Sequence, residues 1–459
     1  MILKITSIIT FFVLISHSFS IAQVKHDYKW IIGYDTSSLD REGHAIVIDF
    51  NQSNNNIFNI ATVDRFYMEG SNTSMSAEDG TLLFYSNGCY IVNAAHEIME
   101  NGDSINPGFF EQYYCWGGGS PWIQGVLALP APDTDSIYYV FVADAQTTLQ
   151  GIPDVFGVSV DHLYYNVIDI SENNGLGKVI IKNQVAIRDT LSRGYIQATK
   201  HANGIDWWVV IPEYNSNCFY LVLLNKDGIQ EPVKKCAGRI WSDYDGGAQA
   251  VFSPDGTKYV RMNGENGLNI YEFDNLTGDF SNPVVIDFSD HEFGLGGAAI
   301  SSNSRYVYVS AYTKVFQFDL EAEDIAASRI KIAEWDGYRN PSPTIFYLAA
   351  LAPDGKIYIS STSSTYNLHV IHNPDCPGLE SNLEQHGVVL PSFNFATIPN
   401  MPHYRSEPVS TAACVTSTDE AASSKSDFEL YPNPTDGFVT ISTPQEGTLR
   451  LFDATGRLV

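Results

Sequence analysis

The chain has 459 residues, with 53 acids against 26 bases and a formal charge of −27. That surplus repels nucleic acid and anionic lipid within a Debye length and argues against both as partners. Aromatic residues make up 13%, including 26 Tyr and 25 Phe, a composition suited to pleated, half-buried strands.

Residues 1–22 read as a secretory signal peptide. Lys4 supplies the positive start, Ile5 to Ile15 is an apolar run too short to span a bilayer, and Ser20-Ile21-Ala22 offers small residues at the positions a signal peptidase reads. Cleavage is expected between Ala22 and Gln23. Losing Lys4 from the 26 bases leaves 25 against 53 acids, a mature charge of −28. No later segment is apolar enough to cross a membrane as a helix.

Residues 23–405 repeat one unit: apolar strand, tight polar turn, apolar strand. The clearest copies are Ala250-Val-Phe-Ser-Pro-Asp-Gly-Thr-Lys-Tyr-Val260 and Ala349-Ala-Leu-Ala-Pro-Asp-Gly-Lys-Ile-Tyr-Ile359, with Ala299-Ile-Ser-Ser-Asn-Ser-Arg-Tyr-Val-Tyr-Val309 between them. Looser copies turn near residues 79, 133 and 203. Proline presets φ at such turns, and Asp-Gly or Asn-Gly supplies the corner. The turns recur about every 50 residues, with one interval near 70, the period of a β-propeller. Each copy continues with two more strand-like runs, so four strands are expected per blade. The six turns predict six blades. Three N-terminal strands, Tyr28–Tyr34, His44–Phe50 and Ile57–Val63, are expected to join Phe393-Asn-Phe-Ala-Thr-Ile398 as a seventh blade that closes the ring and removes its free edges. The expected fold is therefore all-β, a seven-bladed propeller, with six blades the alternative.

Few segments carry the marks of chemistry. His96-Glu97-Ile98-Met99-Glu100 begins like a zinc-protease helix but has Glu where the second His is required, and no Gly-x-Ser-x-Gly or phosphate-binding loop is present. No cofactor and no metal is expected. Tyr113-Tyr-Cys-Trp-Gly-Gly-Gly-Ser-Pro-Trp122 is the most unusual loop. Tyr113, Trp116 and Trp122 could form a platform on which sugar rings stack, or the loop could pack over a propeller face. His201 precedes Trp207 and Trp208 and is either a ligand-facing histidine or a turn residue donating to a carbonyl. Asp243 and Asp245, beside Gly246 and Gly247, either hold a cation or sugar hydroxyls or make an acidic turn.

The six cysteines are Cys89, Cys115, Cys218, Cys236, Cys376 and Cys414. An even count in an exported chain permits disulfides, and no Cys-x-x-Cys pair suggests zinc. Proximity in the repeat scheme points to Cys218–Cys236 and Cys376–Cys414, with buried free thiols the alternative.

Residues 406–427 are small and polar, without an aromatic, and read as a linker. Residues 428–459 form a second β unit: Phe438-Val-Thr-Ile-Ser442 and Thr448-Leu-Arg-Leu-Phe452 alternate as strands, and Pro432, Pro434 and Gly437 fix the turn before them.

Two resemblances add to this reading. Tyr431-Pro432-Asn433-Pro434-Thr-Asp-Gly437 and Leu451-Phe-Asp-Ala-Thr-Gly456-Arg457 resemble the type A C-terminal sorting domain of the Bacteroidetes type IX secretion system. That resemblance implies a small β-sandwich, export through the type IX machinery, and release or attachment at the outer cell surface. Val459 falls in mid-strand, so the sandwich is expected to be incomplete. The Ser-Pro-Asp-Gly units resemble the WD40-like repeats of bacterial secreted propellers, a likeness of fold and location that carries no catalytic residue.

The expected function is a non-enzymatic scaffold, a monomer, that binds an extracellular protein or glycan through one propeller face. The alternative is an extracellular hydrolase or lyase with acids converging at the channel mouth, and a plain spacer is a third reading. A carboxylate pair about 5 to 9 Å apart at the mouth would favour glycoside hydrolysis.

Overall fold

The computed structural model describes residues 24–33, 44–52, 56–61, 66–68, 70–115, 119–147, 157–242, 245–288, 296–405, 414, 429–431 and 440–442. The chain divides into two compact units, 1–412 and 413–459.

The first unit is a ring of seven antiparallel sheets in chain order. Blade 1 holds Lys29–Gly33, Ala45–Asp49 and Asn56–Ile60, and blade 2 holds Thr73–Ser76, Leu82–Ser86 and Ile91–Asn93. Blade 3 runs Val126–Pro130, Ile137–Ala143, Val158–Asp169 and Lys178–Leu191; blade 4 starts Gln197–Lys200, Trp207–Pro212 and Cys218–Asn225. In blade 4 that third strand pairs with both Gly228–Ile229 and Val233–Cys236. Blades 5, 6 and 7 are four-stranded, beginning at Ala250, Gly296 and Phe346. Blades 1 and 2 thus carry three strands among the described residues, where four were expected.

The repeated turn sequence makes the same turn in blades 5 and 6, between the first and second strands. In blade 5 the Ser253 hydroxyl donates to Asp255 Oδ1 and accepts from the Lys258 amide at 2.9 Å, while Asp255 Oδ1 accepts from the Thr257 amide at 3.0 Å. Gly256 takes φ +71°, a region that favours glycine. Blade 6 reproduces the turn with Ser301 and Asn303 in place of Ser253 and Asp255, and Ser304 accepts the positive φ. A side-chain acceptor and one positive-φ residue are what the turn requires, so Ser-Pro-Asp-Gly and Ser-Ser-Asn-Ser are equivalent.

A blade alone has two apolar faces, so the core lies as slabs between neighbours. Val260, Met262 and Leu268 of blade 5 pack on Ala298, Ile300 and Val307 of blade 6. Trp30, Ile32 and Ile46 of blade 1 pack on Tyr347, Tyr358 and Leu368 of blade 7, with the Trp30 and Tyr358 ring centroids 5.7 Å apart. Burying each such side chain is worth roughly 1.5–3 kcal/mol.

The last slab closes the ring, but not by the expected composite blade. Phe393 and Asn394 end the outer strand of blade 7, Leu383–Asn394, and the three N-terminal strands form their own sheet. Residues 396–405 instead enter the central channel without strand pairing, where the Asn400 amide donates to the Asn72 carbonyl at 2.8 Å. Pro399 and Pro402 lack the amide hydrogens a ladder needs. Side chains make the joint: Asn394 Oδ1 accepts from the Gly33 amide at 3.1 Å, Ser392 Oγ donates to Asn59 Oδ1 at 2.9 Å, and Arg405 forms a two-pronged ion pair with Asp27.

Cys218 and Cys236 face each other in the blade 4 ladder and are disulfide-bonded, as are Cys89 and Cys115. Cys376 and Cys414 are each held in a disulfide as well.

In the second unit, Glu429–Tyr431 and Thr440–Ser442 pair antiparallel, with Leu430 opposite Ile441. The signal peptide with Ala22 and Gln23, and the motif residues Pro432, Asn433, Pro434, Gly437, Gly456 and Arg457, lie outside the described residues. Among the described residues no helix is long and apolar enough to cross a membrane.

Candidate ligand-binding cleft

The ring's central channel is filled by the chain itself. Gln124, just before blade 3, exchanges two hydrogen bonds with the backbone of Ala250 in blade 5, both 2.8 Å. Gln249 does the same to Ala349 of blade 7, at 2.8 and 3.2 Å. Asn400 fills the gap between blades 2, 3 and 4, and Tyr404 donates to the Ala128 carbonyl at 3.0 Å. The space left is about 40 Å³, and Asp27, held by Arg405, is the one carboxylate among the described residues lining it. No carboxylate pair of the kind glycoside hydrolysis needs converges there.

The residues singled out from sequence fall on two opposite faces. Tyr113, the last residue of the short helix Phe109–Tyr113, and Trp122 and Asp245 lie in connections that lead into first strands, whereas His201 lies in a turn that follows one. Trp122 is 9% exposed and its indole N–H donates to the Asp144 carbonyl at 2.7 Å, so its ring is a core element and not a stacking platform. Tyr113 is 58% exposed, with Phe109 tilted against it at 4.3 Å, and Trp116 lies outside the described residues. Asp245 is buried against Arg261 and Ser192 and is not free to take a cation; its neighbour Asp243 lies outside the described residues. His201 accepts from the Asn203 amide at 3.1 Å and donates to the Leu276 carbonyl at 3.2 Å, tying the blade 4 turn to blade 5. Both of its ring nitrogens are engaged.

An open cleft of about 530 Å³ lies on the turn face, between the turns of blades 2, 3 and 4. Its rim carries Glu78 and Asp79 from blade 2 and Asp133 and Asp135 from blade 3, and its floor is formed by Trp207, Tyr138, Tyr404 and His26. The Lys200 ammonium sits 3.8 Å above the Trp207 ring centroid and donates to the Ile205 carbonyl at 3.1 Å. Burial holds its pKa down to about 8, against the pull of Asp206. Burial likewise pushes the Tyr138 hydroxyl up to about 12 and lowers the His26 pKa. His26 is 6% exposed; its Nδ1 lies 2.7 Å from the Ser76 carbonyl, and Nε2 has no partner among the described residues. A second cleft of similar volume lies between blades 1 and 2, but its central charges, Lys29 and Asp49, pair with each other.

A lysine with pKa near 8 is largely a free amine at pH 8.5, where ordinary lysines are protonated. Brief acylation at that pH, read by peptide mass spectrometry, should modify Lys200 ahead of exposed lysines such as Lys226. Equal labelling of the two would contradict the cleft's desolvating character.

Residues 429–459 match the secretion system C-terminal sorting domain family. The tail is a sorting domain. It directs type IX export to the cell surface or the extracellular space. The propeller that the sorting domain carries is similar in fold to two solved structures. One is a protein from Lactobacillus plantarum, 13% identical, covering 80% of this chain and 98% of its own, TM-score 0.44. The other, a functionally unknown protein from Desulfotomaculum acetoxidans, is 14% identical over 82% of this chain and 99% of its own, TM-score 0.41. No curated protein sequence matches the chain.

Sequence reasoning missed the cleft. Its signal was the repeat itself: the turns near 79, 133 and 203 belong to consecutive blades, so their polar residues must meet on one face. His26 and Tyr404 gave no such signal, because only ring closure brings the two ends of the propeller chain together.

Proposed function

We propose that the exported propeller is a monomeric, non-enzymatic binding module that recognises its ligand in the cleft under blades 2 to 4. The observation that supports this reading most strongly is the contrast between the two concavities of the ring. The channel is filled by the chain's own Gln124, Gln249 and Asn400, which leave about 40 Å³, whereas the cleft is open over about 530 Å³ and sets an acidic rim above an aromatic floor. Ligand sites are concavities with apolar walls and a few polar groups that fix orientation, which the cleft has and the filled channel does not. Loops on a rigid ring suit this task, since the blades fix their positions without moving.

The test is a glycan and extracellular-protein array on the full chain and on Ile205→Trp. Ile205 lines the cleft and is 47% exposed, so a larger side chain there fills the cleft without entering the core. Specific binding to the parent and none to the variant, at unchanged Tm, is the expected result. Binding that survives Ile205→Trp but is lost in Tyr113→Ala would move the site to the opposite face. Turnover of an arrayed glycan or peptide would overturn the non-enzymatic reading.

A further inference from the structure

We propose that the cleft takes a cation: a single alkylammonium or guanidinium group, free in solution or carried on a side chain. This rests on the cleft being the binding site and adds the class of ligand.

Three features converge. The first is His26. Its Nδ1 faces the Ser76 carbonyl at 2.7 Å and so must carry the hydrogen and donate. Burial disfavours the charged ring, which leaves Nε2 with a lone pair that can only accept. A ligand group that meets Nε2 must therefore bring a donor. The second feature is the rim, where Glu78, Asp79, Asp133 and Asp135 set four carboxylates against one amine. Asp79 is kept ionised by the Thr81 amide, which donates to it at 2.8 Å. An anionic ligand would be repelled and a cation drawn in. The third is the floor. Trp207 already carries an ammonium on its face, that of Lys200, which shows that the ring and its surroundings accept a cation there.

Lys200 acts as an internal placeholder. Burial disfavours its charged form, so a guanidinium, which does not deprotonate, can compete with it for the Trp207 ring. The cleft's volume suits one small cation or one side chain, and an arginine side chain presents its donors in a fork that carboxylates accept in pairs. A neutral sugar also brings donors, but it makes no use of the rim charge.

The experiment is isothermal titration of the full chain at low salt with three probes: agmatine, the capped peptide acetyl-Gly-Arg-Gly-amide, and glucose. Both cations are expected to bind and to compete. Their affinity should fall at least tenfold in the variant Glu78→Gln, Asp79→Asn, Asp133→Asn, Asp135→Asn; all four acids are at the surface and unchanged Tm would show the fold intact. Lys200→Met should bind agmatine as tightly as the parent or more tightly. Binding of agmatine alone identifies a free amine as the source of the cation, and binding of the peptide alone identifies a side chain; either supports the proposal. Glucose binding that Ile205→Trp abolishes, with no binding of either cation, overturns the cationic class while the cleft stands as the site. Cation binding that ignores the four rim substitutions also overturns the proposal. No binding of any probe, together with array binding indifferent to Ile205→Trp, overturns both this proposal and the reading of the cleft beneath it.

Discussion

Asp245→Ala is expected to destabilise the propeller by about 3–5 kcal/mol, the cost of stranding one partner of a buried ion pair. Asp245 and Arg261 have side chains 0% and 1% exposed. One guanidinium nitrogen, Arg261 Nη2, donates to Asp245 Oδ1 and, at 2.8 Å, to the Ser192 hydroxyl, which itself donates to Asp245 Oδ2. The guanidinium lies between Trp241 and Tyr195, 3.6 and 4.5 Å from their centroids. Removing the carboxylate leaves a full positive charge enclosed by aromatic rings, with water excluded. The charge itself is not required for stability, so the double variant Asp245→Leu, Arg261→Met should recover most of the loss. Urea unfolding measures both: a large fall in midpoint for the single variant at constant slope, and a small one for the double. If the double variant is as unstable as the single, the pair contributes more than it costs to bury, and the argument from desolvation fails.

The same pair explains why the fold was easier to read than the site. The blades were legible because their turn chemistry is local: Ser253, Asp255 and Gly256 satisfy one another within four residues, and the pattern repeats. Asp243 and Asp245 look alike in sequence, and nothing local marks Asp245 as the partner of an arginine in the second strand of blade 5. Trp122 misleads for a related reason. Glycines and tryptophans together suggest an exposed aromatic loop, yet the indole N–H finds its acceptor at Asp144, at the end of another strand. Cys218 and Cys236 were legible because two adjacent strands place them opposite each other, whereas Cys89 and Cys115 are joined across a loop whose path no repeat fixes. The channel plug was hidden most completely. Its prolines suppress strand periodicity, and its partners lie on blades far away in the chain.

That plug carries the second large effect. Asn400 is 5% exposed, and its side chain makes four hydrogen bonds. Its Oδ1 accepts from Gln124 and Gln197, and its Nδ2 donates to the Val126 and Ile196 carbonyls at 2.9 and 3.0 Å. The backbone amide of Asn400 donates to the Asn72 carbonyl at 2.8 Å, so one residue ties blades 2, 3 and 4. Each buried group left unpaired costs about 1–3 kcal/mol, so Asn400→Ala should lose about 4 kcal/mol, less whatever an entering water restores. Asn400→Asp is the sharper test. It keeps the shape but turns two donors into acceptors, aiming a carboxylate oxygen at the Val126 and Ile196 carbonyls, with no lysine or arginine among the described residues lining the channel. The aspartate variant should therefore be less stable than the alanine variant at neutral pH, although it is the more conservative change in volume. Urea midpoints rank the two, and hydrogen exchange should show protection lost first in the opening strands of blades 2 to 4. An aspartate variant as stable as the parent would mean that the plug packs the channel by shape alone. The ring would then close through the apolar slab between blades 7 and 1 and the Arg405–Asp27 pair, without the hydrogen bonds that cross its centre.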